Sequence, residues 1–249
     1  MTQQPSETAP DLGRKPAVVL ALTSMVVFMV FLDATIVNVA FETIGRDLDA
    51  GASRLAWVLN SYSLAFAAML IPAGRLADRY GRRRVFLLGV AGFTIFSALC
   101  GFAPDPGVLI AGRALQGLFA ALVIPTALAL LLQEMPPARR PVAVATQAAM
   151  GAAAAAVGPT TGALLIEYGN WRWVFLVNVP IGVLVTLAGI WLLRESRDPN
   201  AGGLPDPVGA LLLAAIPALL SFSVIEGPSW GWDDPWVVAG FGLAALLLP

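Results

Sequence analysis

The chain has 249 residues, 58% of them hydrophobic and only 12% charged, with a net charge of −1 and a mean hydropathy of +0.78. An average soluble domain is roughly 25% charged, and no water-soluble core of this length hides so much apolar surface, so a bilayer is the expected solvent. A single cysteine, Cys100, and no histidine exclude an intrachain disulfide and a Cys/His metal cluster.

In chain order, residues 1–16 are polar and read as a disordered tail that ends in Arg14, Lys15 and Pro16. The apolar run 17–40 is too long for a signal-peptide core and reads as a first transmembrane helix. A helix crosses the hydrocarbon in about 20 apolar residues, and six more runs qualify: 55–73, 84–103, 107–132, 141–166, 172–193 and 207–226. An eighth run starts at Pro235 and stops at Pro249. It rises only about 22 Å against a hydrocarbon core about 30 Å thick. We read it as a span cut short, and the chain as the front part of a longer protein.

Loop charges set the expected orientation. The tail carries Arg14 and Lys15, and the 2–3 loop, GRLADRYGRRR, carries Arg75, Arg79, Arg82, Arg83 and Arg84. The 4–5 loop carries Arg139 and Arg140, and the 6–7 loop carries Arg194 and Arg197. Together these are eleven of the fifteen basic residues, and the alternate loops hold only Arg46, Arg54 and Arg172. The N-terminus is therefore expected in the cytoplasm, with GRLADRYGRRR as a short cytoplasmic loop. Topology accounts for its arginines but not for Asp78 or for Gly74 and Gly81.

Ionisable groups within spans are costly and usually functional. Asp33 lies seven residues from the expected outer end of span 1, and Arg113 six residues from that of span 4. Both depths come to roughly 10 Å, so the two side chains are expected to pair or to act through water in one cavity. Thr35 and Asn38 share one face of span 1, and Gln116 and Gly117 follow Arg113 on one face of span 4. In span 5, Pro159 removes a backbone donor, and Gly158 and Gly162 admit a close helix neighbour at the same depth. No nucleophile–base pair, phosphate-binding loop or dinucleotide fingerprint is present, so an enzyme is not expected. The tryptophans at 57, 171, 173, 230, 232 and 236 stand near span ends, as an interfacial belt does.

These stretches resemble the major facilitator superfamily, most closely its 14-span drug:proton antiporters. GRLADRYGRRR is similar to the superfamily's 2–3 loop signature at Gly74, Asp78, Arg79, Gly81, Arg83 and Arg84. RALQGLFAA resembles the span 4 signature at Arg113, Gln116 and Gly117, and LDATIVNVA the span 1 signature at Leu32, Asp33, Thr35, Asn38 and Ala40. Phe41 and Glu42 stand where the family has Leu-Pro. The antiporter signature of span 5 is matched at Gly158, Pro159 and Gly162, with Ala154 and Ala163 replacing its further glycines. WRWVFLVNVPIG resembles the subfamily's entry into span 6.

The resemblance implies an all-α membrane protein: a six-helix bundle at 17–193, a linker at 194–206, and extra spans 7 and an incomplete 8 at 207–249. The C-terminal bundle would come in cis or from a partner chain. It implies a proton-coupled antiporter in the cytoplasmic membrane that exports drugs or other amphipathic small molecules. Asp33 would exchange the proton, Arg113 would tune it, and Asp78 would latch onto the missing half. The expected partners are a small molecule, protons and the lipid bilayer. Nucleic acid is not expected, nor is any cofactor or metal beyond the proton gradient. Two other readings stand beside this one: an uptake symporter on the same fold, and a non-transporting remnant that needs a partner.

Overall fold

The computed structural model describes residues 14–197 and 207–247, and all regular structure among them is helical. α1 (Arg14–Ile36) passes through a single 3-10 stretch, Val37–Ala40, into α2 (Phe41–Asp47). Then follow α3 (Ala52–Tyr80), α4 (Arg82–Gly101), α5 (Pro106–Glu134) and α6 (Arg140–Glu167). The short α7 (Trp173–Leu176) leads into α8 (Asn178–Leu192), and α9 (Pro207–Trp230) and α10 (Pro235–Leu247) complete the described chain. Among the described residues, six helices are long and apolar enough to cross a membrane: Lys15–Asp47, Ala52–Tyr80, Arg82–Gly101, Pro106–Glu134, Pro137–Glu167 and Trp173–Leu192. Their outward side chains include Leu88, Ile95 and Trp191, which lipid rather than water would solvate. Most of the expected tail, residues 1–13, and most of the linker, residues 198–206, lie outside the described residues.

Three expected boundaries are corrected. Span 1 begins at Arg14 and does not end near Ala40: FETIGRD continues the helix to Asp47. Its polar side chains leave the backbone hydrogen bonds intact, so loss of apolar character marks the edge of the hydrocarbon, not the end of the helix. Asp33 therefore sits fourteen residues from that end, about 21 Å along the axis and near mid-helix.

GRLADRYGRRR is not a loop. Helix α3 runs through Tyr80 and α4 starts at Arg82, so Gly81 alone makes the turn. Its φ of +114° is a conformation that side-chain-bearing residues rarely adopt. Span 6, expected to be continuous, is interrupted at Val177. Pro180 has no N–H to offer the Leu176 carbonyl, which loosens the helix there.

The core forms two apolar layers. Val26, Val30, Phe86, Phe93 and Val123 pack together toward the Gly81 end of the bundle. Ile36, Ile44, Leu109, Trp171 and Val174 pack toward the Asp47 end. Tyr62 belongs to the first layer and Phe175 to the second. The junction between these layers holds the buried pair Asp33 and Arg113.

Close helix approach follows the small residues. A Cβ at Gly117 on α5 would strike the Tyr62 carbonyl of α3. On α6, Gly158 lies against Thr35, and Gly162 against the side chain and carbonyl of Ile36. Pro159, between those two glycines, is exposed. α9 packs on α3 and on α10.

Candidate functional site

α1 contributes Asp33, which is fully buried. From α5 come Arg113, 2% exposed, and Gln116 one turn later on the same face, also fully buried. The Arg113 guanidinium donates to Asp33 Oδ2 at 2.5 Å and to Gln116 Oε1 at 2.6 Å. Gln116 Nε2 donates to Asp33 Oδ1 at 2.9 Å. A third donor comes from α8, where Asn178 Nδ2 reaches Asp33 Oδ1 at 2.8 Å and Ser97 Oγ of α4 at 3.0 Å. Ser97 in turn donates to the Phe175 carbonyl at 2.8 Å. The Arg113 guanidinium lies 4.1 Å from the Tyr62 ring centroid and 5.7 Å from that of Phe175, so aromatic faces cover the cation on two sides.

The carboxylate thus holds three donors, one of them its counter-charge, in a fully buried site. A buried ion pair persists when its remaining hydrogen-bonding capacity is met; here both Asp33 oxygens have donors, whereas the guanidinium is only partly served. Three polar atoms in the same cluster have no partner: Tyr62 hydroxyl, Arg113 Nε and Asn178 Oδ1. The residues Asn178, Ser97 and Tyr62 were not singled out from sequence. All are uncharged, and nothing local marks which face of an apolar span they occupy.

Two expected members are elsewhere. Thr35 bonds the Phe31 and Leu32 carbonyls of its own helix. Asn38 bonds those of Ala34 and Thr35 and is exposed. The reason is periodicity: Asp33 points into the bundle, whereas positions two and five residues on turn away from it. Thr35 meets Gly158 instead, so the bend glycines of α6 abut α1 within two turns of Asp33. Gly117 closes α5 onto α3 directly behind Tyr62.

The signature residues at the Gly81 end form a separate cluster. Asp78 accepts twice from Arg82, at 2.8 and 3.0 Å, so it is engaged within its own chain. Glu195, read from sequence only as part of a linker, accepts from the Arg83 backbone N–H at 3.1 Å and lies 3.6 Å from Arg84. The Arg83 side chain donates to the Gly189 and Ile190 carbonyls near the end of α8, where a helix presents its negative pole. Arg79 is exposed above the Tyr80 ring, and Gly74 meets open space.

At the opposite end, Asp47 Oδ2 accepts from Trp171 Nε1 at 2.8 Å and from Arg172 at 2.6 Å, tying α2 to the entry of α7. Among the described residues no group of acidic, Cys or His side chains is placed to hold a metal ion.

Apolar helices closed around a buried acid–base pair make up a multi-pass membrane protein. The chain belongs to the Major Facilitator Superfamily, whose family model matches residues 23–248. It is 39% identical over 239 residues to the tetracenomycin C resistance and export protein of Streptomyces glaucescens, covering 96% of this chain and 44% of that protein. It is 41% identical over 242 residues to the puromycin resistance protein pur8 of Streptomyces alboniger, covering 96% and 47%. With the methylenomycin A resistance protein of Bacillus subtilis it shares 37% over 244 residues, covering 96% and 51%. The chain spans about half the length of the curated relatives it matches. A bacterial homolog of the human lysosomal transporter Spinster, solved inward-facing and unoccupied, superposes with a TM-score of 0.63 at 22% identity. That match covers 95% of this chain and 61% of the solved one, and it concerns the fold alone.

Proposed function

We propose that this chain forms the N-terminal half of a proton-coupled antiporter that exports drugs or other amphipathic small molecules. Export would cross the cytoplasmic membrane by alternating access, with the N-terminus in the cytoplasm. The observation that carries the reading is Asp33, fully buried yet served by three donors from α5 and α8. None of the three donor groups accepts a proton in its present orientation. Asp33 therefore gains a proton only when a donor withdraws or an amide turns its oxygen inward. Proton uptake and movement of α1 against α5 and α8 are then one event, which is the link that alternating access needs. Neutralising the same carboxylate weakens its hold on a cationic drug, so proton entry favours drug release. Export of antibiotics is what the names of the relatives support. The C-terminal bundle is supplied in cis or by a partner chain.

The test is Asp33→Asn in the full transporter, assayed as drug efflux from vesicles with an imposed proton gradient. Asn keeps the shape and an acceptor for Arg113 but holds no exchangeable proton. Efflux driven by the gradient is expected to vanish while the protein still reaches the membrane. Retained gradient-driven efflux would sink the proposal.

A further inference from the structure

Glu226 is a second buried carboxylate, remote from Asp33, and its surroundings differ in kind. It lies one turn from the Trp230 end of α9 and is 7% exposed. Its Oε1 accepts from Ser53 Oγ at 2.7 Å and from Trp57 Nε1 at 2.8 Å, both on α3. Its Oε2 faces Ser229 Oγ at 3.2 Å, and that hydroxyl also lies 3.0 Å from the Glu226 backbone carbonyl. The charged groups nearby on the packed elements are Arg54 on α3 and Asp233 and Asp234 in the turn to α10. Glu226 is in none of the ion pairs formed among the described residues.

This set of partners serves both charge states. In the ionised form, Ser53, Trp57 and Ser229 all donate. In the protonated form, Oε2–H donates to Ser229 Oγ, whose own hydrogen turns fully to the Glu226 carbonyl. Oε1 meanwhile keeps Ser53 and Trp57. No partner is lost and no helix needs to move, in contrast to Asp33. Burying a carboxylate without a cation is costly; the three donors offset that cost for the ionised form, and the protonated form leaves no hydrogen bond unmade. Ser229 is exposed, and the neighbouring Trp230 and Trp232 are about half exposed, as at a membrane interface. The hydroxyl beside Oε2 thus lies at the surface of the described chain, not sealed inside it.

We propose that Glu226 is a second proton-binding site, loaded from and released to water at the Trp230 end of the bundle. The proton passes from a hydronium or buffer acid to Oε2 and returns the same way. Hydrogen bonds to an ionised acceptor are about twice as strong as neutral ones, so the joint between α9 and α3 tightens when the proton leaves.

The experiment is pH-difference infrared spectroscopy of the complete protein in lipid nanodiscs, with proton uptake measured in parallel. Glu226→Gln retains acceptors for Ser53 and Trp57 and a donor for Ser229, so a purely structural role survives it. The expected result is loss of one carboxylic-acid C=O band and of one titrating proton. Trp57→Phe removes one donor that favours the ionised form, and is expected to raise the proton affinity of that band roughly tenfold. Unchanged bands and proton uptake in Glu226→Gln overturn the proposal, as does an unmoved midpoint in Trp57→Phe. Because the Asp33 band is read separately, either site stands or falls without the other.

Discussion

The residue that most repays mutation is Asn178. It supplies one of the three donors to Asp33 and also donates to Ser97, which in turn bonds the Phe175 carbonyl. Its Oδ1 has no partner, so a half-turn of the amide offers the carboxylic acid an acceptor where the carboxylate had a donor. Asn178→Leu keeps the volume and removes both functions. Losing a hydrogen bond to a charged acceptor costs about 1.5–3 kcal/mol, so gradient-driven drug efflux is expected to fall about tenfold or more. Efflux from vesicles checks this, and Asn178→Ser, which can both donate and accept, is expected to recover part of the rate. Asp33 and Arg113 were legible in the sequence because a charge in an apolar run stands out. Asn178, Tyr62 and Ser97 were not, because their convergence is a property of three other helices. Glu226 escaped for a different reason: at the end of an apolar run, a carboxylate reads as the edge of the membrane.

At the scale of elements, the apolar runs located the helices and misjudged their ends. Hydropathy reports where hydrocarbon stops, whereas a helix stops where its backbone hydrogen bonds do. FETIGRD and ADRY stay helical although they are polar; the chain turns only beyond them, at Leu48–Gly51 with Asp49 at φ +49° and at Gly81 with φ +114°. The glycines of α5 and α6 were legible as contact points, but their partners were not. Gly117 meets the backbone of Tyr62, which cannot move aside as a flexible side chain would. Gly117→Ala therefore forces α3 away from α5 and lifts the Tyr62 ring from Arg113. Overpacking of this kind costs about 1–3 kcal/mol. A lowered thermal midpoint in detergent, together with impaired efflux, is the expected outcome. Gly74→Ala, made inside α3 where nothing lies within reach, is expected to hold or slightly raise the midpoint and serves as the control.

At the scale of the molecule, the bundle has two chemically distinct ends joined by a buried centre. Arg82, Arg83 and Arg84 gather with Asp78 and Glu195 at the Gly81 end, and Asp47, Trp171 and Arg172 gather at the other. The positive-inside rule assigns the Gly81 end to the cytoplasm, and that assignment is open to direct chemical test. Ala138 follows α5 at the arginine-rich end, Asp233 lies between α9 and α10 at the opposite end, and both are exposed. The native Cys100 is fully buried and contributes little background. A membrane-impermeant thiol reagent applied to intact cells is expected to label Asp233→Cys and to spare Ala138→Cys. Inside-out vesicles should reverse the pattern. The opposite result would place Glu226 at the cytoplasmic face, and its proton would then be drawn from the cytoplasm instead of from the outside. The same pair of variants thus fixes which side of the membrane each carboxylate serves, since Asp33 lies between the two ends and Glu226 within a turn of one.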